Sequence, residues 1–94
     1  MLKTLESSIR LRWEKSSRYY EVRLGQDLWG QWIITRTWGR IGTALGRQSD
    51  LLCLSYQNGL QQVEAAKQRR RQRGYALVRE ESERKEQEAQ YDMI

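Results

Sequence analysis

Apolar and basic residues alternate from Ser8 to Trp13 (SIRLRW), which puts Ile9, Leu11 and Trp13 on one side. That period of two predicts a half-buried strand. Lys15–Arg18 (KSSR) reads as a turn. In RYYEVRL, Tyr20, Val22 and Leu24 fall on one face and Tyr19, Glu21 and Arg23 on the other, a second strand. Gly25–Gly30 (GQDLWG) reads as a hairpin loop. QWIITRTW predicts a third strand, rich in β-branched and aromatic residues. There Trp32, Ile34, Arg36 and Trp38 share one face, and Ile33, Thr35 and Thr37 the other. Gly39, Gly42 and Gly46 punctuate a loop, and RQSDLLCLS supplies a fourth strand. Short connections between successive strands predict an antiparallel meander.

From Tyr56 the period lengthens. Tyr56, Leu60, Val63 and Ala66 form one helical stripe, with Ser55 placed to cap the N-terminus. Gly59 inside this helix costs about 1 kcal/mol relative to alanine, so it predicts a close approach to the sheet. The helix runs into KQRRRQR and is expected to stop at Gly74, a C′ glycine. Gly74–Val78 is a short apolar return with the character of a strand. REESERKEQEAQY then predicts a charged helix, supported by Glu80–Arg84, Glu81–Lys85 and Arg84–Glu88 at i, i+4. The expected architecture is α+β: a small twisted antiparallel β-sheet of about four to five strands packed on one helix, with a charged C-terminal helix. Residues 1–79 form the expected domain and residues 80–94 the tail.

Ninety-four residues and 11.3 kDa fit one domain. No apolar run reaches the roughly 18 residues of a membrane span, and MLKTLESSIR lacks a signal-peptide core, so no membrane partner is expected. There is no histidine and a single cysteine, Cys53, inside the apolar run LLCL. That removes the commonest general base and leaves no metal-ligand cluster. Cys53 reads as a small core residue of a reduced, cytoplasmic chain. No catalytic residue, cofactor or metal is expected, and a binding module, monomeric by preference, is the natural class.

Charge sharpens this. Residues 1–79 hold 15 basic and 6 acidic side chains, a net of +9, against −4 for residues 80–94, which hold 2 and 6. Thirteen of the 17 basic residues are arginine, whose planar fork matches phosphate. A polyanion, nucleic acid first, is the expected partner. Trp38-Gly39-Arg40-Ile41-Gly42-Thr43 is the most informative segment: an indole that can stack on a sugar or base, a glycine that admits another backbone, and an arginine suited to phosphate. The alternative is that Trp38 caps the core and Arg40 pairs with a surface carboxylate. The glycines at 39, 42 and 46 lack the spacing of a phosphate-cradling loop.

RYYEVRL, DLWGQWIITRTWGRIGT, LGR and QRRRQRGY follow one another as in the WGR domain family, which this chain resembles from about Arg18 to Tyr75. It is most similar to bacterial stand-alone WGR proteins. The loop TALGR is about one residue longer than usual, and Gly59 stands where the family tends to carry alanine. The resemblance implies a twisted antiparallel sheet against a helix. It also implies function: in DNA-damage-sensing poly(ADP-ribose) polymerases the domain binds DNA ends, with the Trp matching Trp38 packed on a terminal sugar. The Arg matching Arg40 there connects DNA contact to a catalytic part. The position matching Arg70 is commonly basic and lies near the DNA end.

Lys67, Arg70 and Arg71 lie together at i, i+3 and i+4, a candidate phosphate-backbone contact or a solvated helix end. Tyr19, Tyr20 and Tyr75 are expected at core or rim, with a hydroxyl near a 5′ phosphate as the alternative for Tyr75. Trp29 and Trp32 are expected to pack the hairpin. Arg36 either extends the patch or pairs with Glu21. The nucleic-acid-binding set is thus Trp38, Gly39, Arg40, Lys67, Arg70, Arg71 and Tyr75, with DNA ends or backbone as ligand. A protein partner docking the same surface or the charged C-terminal helix is the alternative. The acidic tail is expected to be solvated, or to fold over the basic patch and compete with DNA.

Overall fold

The computed structural model describes residues 6–44 and 46–83. Its elements are β1 (Ser8–Lys15), β2 (Arg18–Gln26), β3 (Trp32–Arg40), β4 (Gly46–Cys53), α1 (Tyr56–Gln72) and β5 (Ala76–Glu83). They build one five-stranded sheet in the order β4-β3-β2-β1-β5, antiparallel throughout. The first four strands form the expected meander. The chain then crosses one face as α1 and returns beside β1.

The alternation in the sequence becomes two faces. Leu11, Trp13, Val22, Leu24, Trp32, Ile34 and Cys53 point to the helix side and, with Val63 of α1, form the core. Cys53 is the small buried residue its apolar flanks predict. Burial raises its thiol pKa, because the thiolate cannot be solvated there. The other face carries polar side chains, among them Arg12, which bonds Glu21 at 2.7 Å and Glu14 at 2.9 Å and lies over the Tyr19 ring. Glu21, then Glu14, hold the Arg12 pKa above its ordinary value.

α1 begins and ends as its sequence requires. Ser55 is the N-cap, and its Oγ accepts from the Asn58 backbone N–H at 3.0 Å. At the other end Gly74, at φ +83°, donates to Arg71 O and Tyr75 donates to Arg70 O. This is the Schellman pattern, and it sets Tyr75 against the helix end. Gly59 lies directly on the sheet: a Cβ there would stand 2.6 Å from Leu24 Cδ1. The close approach predicted from its poor helix propensity is real.

Three expectations are corrected. The charged C-terminal helix is not formed at Glu80–Glu83, which belong to β5; residues 84–94 of that reading lie outside the described residues. β1 offers an edge, and β5 completes its ladder, with Arg10 opposite Glu81. Pairing between distant segments outweighs local helix preference. Glu80 bonds Lys67 of α1 at 3.3 Å. Second, β2 runs through Gly25 to Gln26, so the hairpin loop is shorter than GQDLWG. Third, Trp29 is 81% exposed and packs no hairpin, whereas Trp32 is buried with its ring 4.7 Å from that of Tyr56. The loop is held by Asp27, whose Oδ1 accepts from Trp29 N and Gln31 N at 2.9 Å, so it needs no indole for its shape.

Candidate nucleic-acid interface

At the end of the sheet where β2 begins and β3 ends, the core gives way to a cleft of about 550 Å³. The strand register places its walls. Tyr20 lies opposite Trp38 on the helix side, and the two rings stack at 6.1 Å and 19°. Trp13, opposite Tyr20, meets it edge-on at 6.2 Å. Trp38 therefore rests on an aromatic ladder that ends in the core, and it is half-buried.

The loop after β3 is fixed by backbone chemistry. Thr43 N and Oγ1 both donate to Arg40 O, at 3.3 and 3.0 Å, and Gly42 takes φ +87°. These are marks of a type II turn, which needs a positive φ at its third residue. Ile41 N donates to Ser17 O at 2.7 Å, tying this turn to the β1–β2 hairpin. Arg40 is exposed at the cleft rim, next to Gly39. Gly46 lets β4 pass Tyr19: a Cβ there would stand 2.6 Å from the Tyr19 hydroxyl and 3.2 Å from Trp38 O.

Arg70 closes the cleft from the helix. It is only 8% exposed, and its guanidinium lies 4.1 Å from the Tyr20 ring and 4.9 Å from the Tyr75 ring. The helix stripe explains this, since Val63, Ala66 and Arg70 follow at i, i+3 and i+7 and point to the sheet. Tyr75 arrives beside it through the Schellman bond to Arg70 O.

The cleft thus brings together Trp38, Gly39, Arg40, Arg70 and Tyr75. It does not include Lys67 or Arg71. Lys67 is bonded to Glu80 at 3.3 Å and Glu64 at 3.4 Å. Burial pulls its pKa down, but the two carboxylates outweigh it and leave the pKa raised. Arg71 is exposed on the outer helix face. Arg18, Tyr19, Tyr20, Arg36 and Ser49 also line the cleft. Arg36 does not pair with Glu21, which sits opposite Thr37 on the other face and bonds Arg12. Its parity with Trp38 is the sequence signal that it turns inward.

The WGR domain family model matches residues 7–85. The chain belongs to the WGR domain family. WGR domains are a known nucleic-acid-binding module family and are generally non-catalytic. Trp38, Gly39 and Arg40 are the three residues of the motif, and they stand at the mouth of this cleft. No curated protein and no solved structure matches the chain. No helix among the described residues is long and apolar enough to cross a membrane.

Proposed function

We propose that this WGR protein is a non-catalytic nucleic-acid-binding module that contacts DNA ends or backbone through the Trp-Gly-Arg surface with little base specificity. One observation carries the reading. Among the described residues the cleft is lined by four arginines (Arg18, Arg36, Arg40, Arg70) and four aromatic rings, and by no carboxylate. Arginine with aromatic faces and no acidic side chain suits a ligand that carries phosphate and stackable rings. In this reading Trp38 packs on a sugar or base, Gly39 admits the ligand backbone, Arg40 and Arg70 hold phosphates, and the Tyr75 hydroxyl serves the same group. Lys67 and Arg71, flanking on α1, add longer-range attraction for the backbone.

The test is fluorescence anisotropy with a short labelled duplex. Stacking worth about 1–3 kcal/mol per base makes Trp38→Ala weaken binding by roughly 5- to 150-fold. Arg40→Ala is expected to weaken it as well. Binding indifferent to both substitutions would reject the reading.

A second reading, a protein-interaction adaptor, draws on the opposite end of the sheet. There Leu28 (93% exposed), Trp29 and Leu54 (92%) leave apolar surface in water. It predicts weak duplex binding and a copurifying protein lost on Trp29→Ser.

A further inference from the structure

Two of the cleft's arginines are withdrawn from water, Arg70 buried and Arg36 half-buried. Arg70 is more than nine-tenths buried, and its guanidinium has ring faces beside it but makes no hydrogen bond or ion pair among the described residues. The Arg36 Nε–H is wholly buried and has no hydrogen-bond partner among the described residues. Both side chains line the main cleft, and both line the smaller hollow beneath it between Ile34 and Ala66. Elsewhere in the described chain, part-buried cations find acids: Arg12 has Glu21 and Glu14, and Lys67 has Glu80 and Glu64. A buried charge or donor without a partner is destabilising, so two lining the same hollow mark a place shaped for a group the described residues do not supply.

We infer that Arg36 and Arg70 form one slot that holds a single phosphate group beneath Trp38. The inference rests on the nucleic-acid reading for the source of that phosphate, and it adds Arg36, which lies outside the Trp-Gly-Arg motif, to the residues that hold the ligand. Phosphate fits better than carboxylate, because two guanidinium forks converging from β3 and α1 present more donors than two oxygens can accept. Ser49, opposite Arg36 on β4, adds a hydroxyl at the cleft wall. Arg40 and Arg18, more exposed, stand at the rim and serve neighbouring phosphates.

The slot and the wider reading are tested apart. In the first arm, intrinsic tryptophan fluorescence of the full chain is followed on adding inorganic phosphate, with sodium chloride matched for ionic strength. The slot predicts a saturable change that sodium chloride does not give, and that Arg36→Gln abolishes while leaving the circular dichroism spectrum and melting temperature near those of the unsubstituted chain. Arg36→Lys keeps the charge but loses the fork, and is expected to restore only part of the response. In the second arm, duplexes ending in hydroxyl or in phosphate are bound at several salt concentrations. Arg36→Gln should flatten the slope of log affinity against log salt by about 1 unit, the mark of one lost phosphate contact. Because both arginines hold the same phosphate, Arg36→Gln combined with Arg70→Gln should lose little more affinity than the weaker-binding single variant. A larger loss with phosphate ends places a terminal group in the slot, and equal losses place a backbone phosphate there; either supports the inference.

No saturable phosphate response, with duplex affinity unchanged in Arg36→Gln but reduced in Trp38→Ala, would overturn the slot and leave the nucleic-acid reading standing. A saturable phosphate response without any duplex binding would overturn that reading and support the slot. Losses that multiply in the double variant would show two separate contacts and overturn the shared slot.

Discussion

Replacing Gly59 by alanine sets two effects of known size against each other. In an isolated helix the change is favourable, since glycine is about 1 kcal/mol worse than alanine in a helix interior. Here the new Cβ would stand 2.6 Å from Leu24 Cδ1 and 3.1 Å from Leu24 Cδ2. Leu24 is fully buried on the central strand β2, so its methyls have nowhere to retreat. Overpacking of this kind costs about 1–3 kcal/mol. The balance is a loss of about 0–2 kcal/mol, or a fall in melting temperature of up to roughly 16 °C for a domain this size. Leu24→Val shortens the obstructing side chain. It destabilises by itself, but combined with Gly59→Ala it should show a favourable coupling of at least about 0.5 kcal/mol. Urea unfolding of the four proteins, followed by tryptophan fluorescence, gives the cycle. Stabilisation by Gly59→Ala alone, with no coupling to Leu24, would refute the claim that helix–sheet contact fixes this glycine.

Three further outcomes are expected. Gly74→Ala forces a β-carbon into φ +83° and should cost about 1–2 kcal/mol in urea unfolding, with amide-exchange protection at Tyr75 reporting a disturbed helix end. Truncation after Arg79 removes the ladder partners of Ser8, Ile9, Arg10 and Leu11 along with the Lys67–Glu80 bond, so it should cost about 2–4 kcal/mol by circular dichroism melting instead of merely baring a basic patch. The buried Cys53 thiol, its pKa raised by desolvation, should resist iodoacetamide at pH 8 until denaturant is added. Since the folded thiol holds its proton more tightly than the unfolded one, its contribution to stability is complete below the ordinary thiol pKa and is lost as pH rises through the folded value. Fast alkylation of the native chain would contradict its burial.

Period-two alternation is enough to read β1 to β3, because each of these strands buries one face and solvates the other, whereas β4 buries only Cys53. Residues that break local preference are equally legible: a glycine inside a helix means contact with Leu24, and a glycine after a basic run means a C′ position. β5 is only partly legible. In its second half Arg79, Glu80, Glu81 and Glu83 have helical propensity and no apolar stripe, and that half is a strand because β1 lies beside it. In the site, Trp38, Gly39 and Arg40 are visible as a motif. Which of the basic residues on α1 turns inward is written in the stripe Val63–Ala66–Arg70, but five basic side chains in seven positions mask it. Arg36 shares a face with Trp38 in the sequence; only the cross-strand register shows that Glu21 is out of reach.

The proposed function puts nucleic-acid phosphate in an arginine-lined cleft beside Trp38 that has no carboxylate among its described lining residues. Its most direct test is the affinity of the full chain for a short DNA duplex across a salt series. Roughly 3–5 phosphate contacts predict that log affinity falls against log salt with a slope near −3 to −4, and that Trp38→Ala weakens binding at every salt concentration. A slope near zero, or binding that ignores Trp38, would contradict the account and direct attention to the exposed Leu28 and Trp29 at the other end of the sheet.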